Sequence, residues 1–306
     1  MPEPEKPKRL KRTPDSDLFP GPFAAVWLSF LALFSTSLMF TLFGEELDFI
    51  SSIGLAQTLG LGSVALLAAR RIPPPHVERI GLRGFPLARL LPLLCLLPVV
   101  ILIKEFDNYI GVLMPASPAV LELQAELAEL TRIDSAYAAA QTVIVAVGIS
   151  PLVEGFFFFG VILQGLVARL GGVRGVLITA VLYSVVHFPA SGAPGSDALV
   201  PLASGLTVGA LLALARLGSG SLLGAVGLSG AIAAVYLAAA ELSDGAAIAG
   251  FNAPGEHIAL IWVLPSAVAV LYGIRVLLRF AAQSDIAPPV PAPTPQEEDE
   301  NNGFFL

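Results

Sequence analysis

The chain has 306 residues, 55% of them hydrophobic and 13% charged, with a formal net charge of −7. Soluble globular proteins are about one quarter charged; here the deficit falls in long runs with no charge at all, which excludes an ordinary soluble domain. The 17 Lys and Arg lie between apolar runs rather than on one folded face, which argues against nucleic-acid binding.

Residues 1–21 are polar and carry Lys6, Lys8, Arg9, Lys11 and Arg12. They read as a cytoplasmic segment rather than a secretory signal, because the apolar run that follows is full length and lacks a small-residue cleavage pattern. A helix needs about 20 apolar residues to cross a bilayer. On that basis the chain divides into eight spans near 22–43, 49–69, 87–104, 137–168, 172–188, 200–216, 220–240 and 258–280. The expected fold is an all-α, polytopic membrane bundle of about eight helices, filling 22–280 and in contact with membrane lipid. Span four contains Pro151, which predicts a kink or a re-entrant half. Before it, "PAVLELQAELAEL" (118–130) spaces apolar residues at helical intervals between glutamates, the pattern of an amphipathic surface helix. "GLTVG" (205–209) suits close helix packing. Cys95, alone of its kind, excludes an internal disulfide. Residues 281–306, with prolines and then "QEEDE", read as a disordered acidic tail.

Charge sorting gives an orientation. Eight spans with both ends in the cytoplasm place 15 of the 17 Lys and Arg on the inner side, leaving Lys104 and Arg132 as exceptions, and make the opposite loops acidic.

Within that frame Glu154 is the one acid of 24 deep in a predicted span, and His187 the one histidine of three. Burying a charge at mid-bilayer costs at least ~3 kcal/mol, so Glu154 is either neutral or partnered. Glu154 precedes the basic rim at Arg169, and His187 follows the rim at Arg174, by nearly equal lengths of helix. Both side chains therefore lie about 20 Å from one face of the bundle. Tyr183 is one turn from His187. Three outcomes are compatible with such a pair: a base that activates water, a polar lock between two helices, or a proton or ion path.

"SPLVEGFFFFGVILQGL" followed by "YSVVH" resembles the CAAX-protease and bacteriocin-processing (CPBP) family of multi-pass membrane peptidases, also called Abi or Rce-type. That family carries P-x-x-E-E-x-x-x-R-G, and Pro151, Glu154 and Gly160 match. Its F-x-x-x-H motif corresponds to Tyr183 and His187. Its H-x-x-x-N helix corresponds to "GSLLGAVGLSGAIAAV" (220–235), with Ser229 at the His position and Ala233 at the Asn position. The resemblance covers roughly 115–240. It implies an intramembrane endopeptidase of a bacterial cell membrane, acting on prenylated proteins, peptides or leader sequences. In it Glu154 and His187 activate water, and the later His and Asn stabilise the oxyanion. Here Gly155 replaces the second Glu and Phe159 the Arg. Ser229 offers one hydrogen-bond donor and Ala233 none. The resemblance therefore implies an impaired peptidase, or a non-catalytic relative that binds or shields membrane proteins or peptides. A transporter or proton path through Glu154 is the further alternative. No cofactor is implied by the residues. Zinc comes only with the family's metalloprotease label, with Glu154 and His187 as its two candidate ligands where three are usual.

Overall fold

The computed structural model describes residues 18–187, 198–241, 247–253 and 255–282. Among these every regular element is helical. Seven helices are long and apolar enough to cross a membrane: α1 (Pro22–Phe43), α2 (Phe49–Ala69), α4 (Leu87–Leu113), α6 (Ala136–Leu170), α8 (Leu199–Ser219), α9 (Leu222–Glu241) and α10 (Leu260–Ala282). The eighth expected span, α7 (Gly172–His187), has only 16 residues and rises about 24 Å. Two further helices are short: α3 (His76–Ile80) and α5 (Pro118–Leu130).

The sequence of α1 explains both of its faces. Pro22 presets the first turn. Ala25, Ser29 and Ala32, at helical spacing, are buried, while Phe23, Trp27, Phe30 and Phe34 point outward. The small inward residues let α2 approach so closely that a Cβ on Gly60 would lie 2.5 Å from the Thr36 backbone. The outward aromatic stripe is lipid-contacting surface. Asp48 caps α2 by accepting from the Ser51 N–H at 3.0 Å, and this bond holds its carboxyl below the usual range.

Helix α6 is where Pro151 acts. Around it the winding changes: π-helical turns at Val143–Ile149 and Gly155–Ile162 flank a short α-helical stretch, Ser150–Glu154. Such π turns concentrate at functional sites. Helix α9 crosses α6 here at close range. A Cβ on Gly230 would lie 2.7 Å from the Val147 carbonyl, and one on Gly155 2.5 Å from Val226. "GLTVG" serves packing, as expected: Gly205 faces Ser184 and Gly209 faces Tyr183 and Ala180, seating α8 on α7.

The segments that charge sorting assigned to one side do meet. Arg83 donates to the Gly220 carbonyl at 2.9 Å, Arg89 donates to the Ser219 carbonyl, and Arg216 donates to the Arg79 carbonyl at 3.0 Å. Arg83 and Arg89 supply donors to the otherwise orphaned C-terminal end of α8, and Arg216 ties that end to α3. Arg79 is buried, which lowers its pKa. At the other end Gln141 donates to Asp48 at 2.7 Å and Asn108 to the Gly250 carbonyl at 2.8 Å.

One boundary differs from expectation. Span three does not stop at Lys104; α4 continues to Leu113, so Glu105 and Asp107 are helical rather than loop residues. Glu105 is 7% exposed. Its burial is satisfied by the Ile258 N–H at 2.7 Å and by His257 Nδ1 at 3.0 Å. Among the described residues Glu105 is thus a second acid held by partners within a membrane-spanning helix, besides Glu154. Helix α5 is mostly exposed, with Val120 and Leu123 half-buried, as expected of a surface helix. Residues 1–17 and the acidic tail lie outside the described residues.

The α1–α2 contact gives a direct test. Gly60→Ala places its methyl against backbone that no rotamer change can move. The expected destabilisation is about 1–3 kcal/mol, read as a lowered thermal unfolding midpoint in detergent.

Candidate functional site

The site is built on the α6–α7 hairpin, whose antiparallel helices bring Glu154 and His187 to one depth. Glu154 Oε2 lies 3.0 Å from His187 Nε2. The spacing argument therefore holds in detail for this pair. The other carboxylate oxygen, Oε1, accepts from the Gln57 amide at 3.0 Å. Ser150 Oγ in turn donates to Gln57 Oε1. A chain of hydrogen bonds thus runs Ser150–Gln57–Glu154–His187 across α2, α6 and α7.

On the far side of the imidazole, His187 Nδ1 is 2.8 Å from the Tyr183 carbonyl. A carbonyl can only accept, so Nδ1 carries a proton. Nε2 is then the remaining lone pair, and its contact with a carboxylate oxygen requires one further proton. Glu154 and His187 accordingly hold a single proton between them, on Nε2 or on Oε2. The Tyr183 ring stacks on the imidazole at 3.9 Å between centroids and 25° between planes, which fixes the ring's tilt. Gly209 permits this by letting α8 pass beneath Tyr183.

The pair is walled but not sealed. Phe157, Phe158 and Phe159 are completely buried or nearly so. Phe158 meets the Tyr183 ring edge-on at 5.3 Å and the imidazole at 5.9 Å. The side chains of His187 and Glu154 nonetheless keep 29% and 12% of their surface accessible.

The remaining sequence candidates fare differently. Tyr183 belongs to the site through its carbonyl and ring. Ser229 is half-buried on α9, on the helix face that also carries Val226 and Gly230. Among the described residues it makes no hydrogen bond to Glu154 or His187. Phe159 packs on Tyr183 at 5.7 Å. Val226 fills the space a side chain at position 155 would need. The zinc implied by the family label does not fit: among the described residues no three His, Cys, Asp or Glu side chains converge. The two that meet here are joined by Gln57, whose donor end faces the carboxylate, and by an apolar wall.

Gln57 was missed because it is neutral and sits within an apolar run. A signal existed. Gln57 lies 13 residues before Arg70, the basic end of α2, the same helix length that separates His187 from Arg174. Glu105 escapes a reading of the sequence because a charge next to Lys104 looks like the end of an apolar span.

These features define the class: a polytopic helical membrane protein with a partly accessible Glu–His pair at mid-bundle. Residues 137–235, about a third of the chain, match the family model described as type II CAAX prenyl endopeptidase Rce1-like. That stretch runs from the start of α6 through most of α9 and contains Glu154, Tyr183, His187 and Ser229. It is consistent with the CPBP family that the motifs resemble. No curated protein and no solved structure matches the chain.

Removing the Gln57 donor leaves Oε1 of Glu154 buried without its partner. Gln57→Leu is expected to cost about 1–3 kcal/mol, measured by thermal unfolding. The double variant with Glu154→Leu should cost less than the sum of the two single changes, because the partners are lost together.

Proposed function

We propose that this chain is a CAAX-protease-like membrane endopeptidase homologue whose water-activating half is intact and whose oxyanion-stabilising half is depleted. The observation that carries this reading is the 3.0 Å contact of Glu154 with His187 at a partly accessible position, inside the segment matched to an Rce1-like endopeptidase. In such a reaction water bound at the pair gives its proton to the Glu154 carboxylate, which keeps free lone pairs while His187 holds its own protons, as the water oxygen attacks the scissile carbonyl. The same proton then passes to the leaving amine as the C–N bond breaks. The negative oxygen of the tetrahedral intermediate needs fixed donors opposite the base. Ser229 and Ala233 stand where the family places them, and Phe159 and Gly155 supply none. Each missing donor typically costs ~10²–10³ in rate, so hydrolysis is expected to be slow.

The substrate class that goes with the matched family is the C-terminal peptide of a prenylated protein, held in the bilayer by its lipid. Both chain termini, and the arginine-rich end where Arg79, Arg83, Arg89 and Arg216 gather, are assigned to the cytoplasm, by the bias of Lys and Arg toward that side. A bacterial cell membrane is the location implied by the resemblance.

A second reading is favoured by one feature. Val226 lies so close to Gly155 that a glutamate there cannot enter without displacing the Val226 side chain. Packing has thus closed over one family position, as suits a non-catalytic relative that binds such peptides without cutting them.

The test uses the purified chain in liposomes with a prenylated reporter peptide. The endopeptidase reading expects slow cleavage that Glu154→Gln and His187→Ala both abolish. Peptide that is captured by photocrosslinking but never cut supports the binding reading instead. Cleavage unchanged by both substitutions contradicts the assignment of the site.

A further inference from the structure

The search beyond the Glu–His site leads to the opposite side of α8. Three cavities follow this helix from one end to the other. The first, about 610 Å³, lies at the acidic end between α4, α8 and α9. The second, about 340 Å³, shares Ile103 and Ser204 with the first and continues between α4, α8 and α10. The third, at the basic end, shares Leu211 and Ile274 with the second. The first two are contiguous and chemically unlike. The upper one carries Lys104, Asp107 and Tyr236 among its walls. The lower one is lined mainly by apolar side chains such as Leu102, Phe106 and Val270, with Ser204 and Thr207 its two hydroxyl residues.

Lys104 is the residue to explain. It is one of two cations that break the charge sorting; the other, Arg132, forms an exposed ion pair with Glu129 at 3.2 Å. Lys104 sits at the cavity, with its ammonium 2.7 Å from Asp107 and roughly a third of its side chain accessible. That ion pair uses one of three ammonium donors and one of two carboxylate oxygens. The cavity wall therefore presents a cation and an anion side by side, with capacity left on each. The occupant that best complements both charges carries an anion and a hydrogen-bonding cation a few ångströms apart.

The dimensions narrow the choice. From Val200 to Leu211, α8 rises about 17 Å, close to the ~15 Å of hydrocarbon in one leaflet. A polar head at the acidic end with an apolar channel one leaflet deep is the shape of a lipid standing in that leaflet. Tyr236 at the head level suits the membrane interface.

We propose that α4, α8, α9 and α10 form a binding site for one phosphoethanolamine-headed phospholipid. Its phosphate meets Lys104, its ammonium meets Asp107, and one acyl chain lies in the channel beneath. A headgroup that is anionic overall would leave Asp107 facing negative charge. A quaternary ammonium would offer Asp107 no N–H donor. The site is separate from Glu154 and His187 and does not depend on the proposed hydrolysis.

Native mass spectrometry of the full chain, titrated with dioleoyl phosphatidylethanolamine, phosphatidylglycerol or phosphatidylcholine, tests this. The expected result is one retained phosphatidylethanolamine, about tenfold tighter than either other lipid, with that preference lost in Lys104→Gln and in Asp107→Asn. Both side chains are partly exposed, so these variants should fold; unchanged unfolding midpoints check that. Ala203→Phe, which fills the channel, should weaken retention of the lipid while leaving the ion pair in place. Equal retention of the three lipids overturns the proposal, as does a preference unaffected by both charge variants. Displacement by soluble glycerophosphoethanolamine at the lipid's own concentration would also overturn it, since the channel would then contribute nothing.

Discussion

A carboxylate held deep in an apolar bundle is the constraint from which the rest of this structure follows. Charge in that position costs several kcal/mol unless it is partnered. Glu154 is satisfied on both oxygens, by His187 on one and Gln57 on the other. Meeting His187 requires α6 and α7 to run antiparallel across a tight turn, and the single residue Gly171 between them, at φ 83°, allows it. Meeting Gln57 requires α2 to lie against the same face of α6. The glycines at α1–α2 and α7–α8 then let neighbouring helices close around that core. The polar site and the small-residue packing are two aspects of one arrangement.

The same arrangement separates what the site retains from what it has lost. A proton shared between imidazole and carboxylate, at a pair that keeps part of its surface accessible, is the starting point of water activation. Donors for a developing oxyanion require polar groups on α9 and the later turns of α6. There the chain has placed Val226, Phe159 and Ala233. Three of the four consecutive aromatic residues after Gly155 occupy the core instead of solvating charge. The site is chemically one-sided.

Much of this was legible in the sequence, and for identifiable reasons. Span lengths follow from bilayer thickness and hold for most helices. Counting residues inward from basic rims placed Glu154 and His187 at one depth, because helix rise is nearly constant. What escaped were features set by partners rather than by spacing. Gln57 gives no charge signal. Glu105 looks like the end of a span until its partners, His257 and Ile258, arrive from 152 and 153 residues away. Whether Ser229 would reach the site depended on how closely α9 crosses α6, which no periodicity encodes. The π-helical turns around Pro151 were likewise invisible, since the sequence marks a disruption without choosing its form.

The central claim is that one proton joins Glu154 and His187 in direct contact. Solid-state NMR on protein in lipid bilayers, with nitrogen-labelled histidine and carbon-labelled glutamate, measures that contact. A His257→Gln background removes the signal of the second Glu–His pair. The account predicts a strong dipolar correlation between His187 Nε2 and the Glu154 carboxyl carbon, absent in Glu154→Gln. No correlation, with both side chains labelled and ordered, would contradict it.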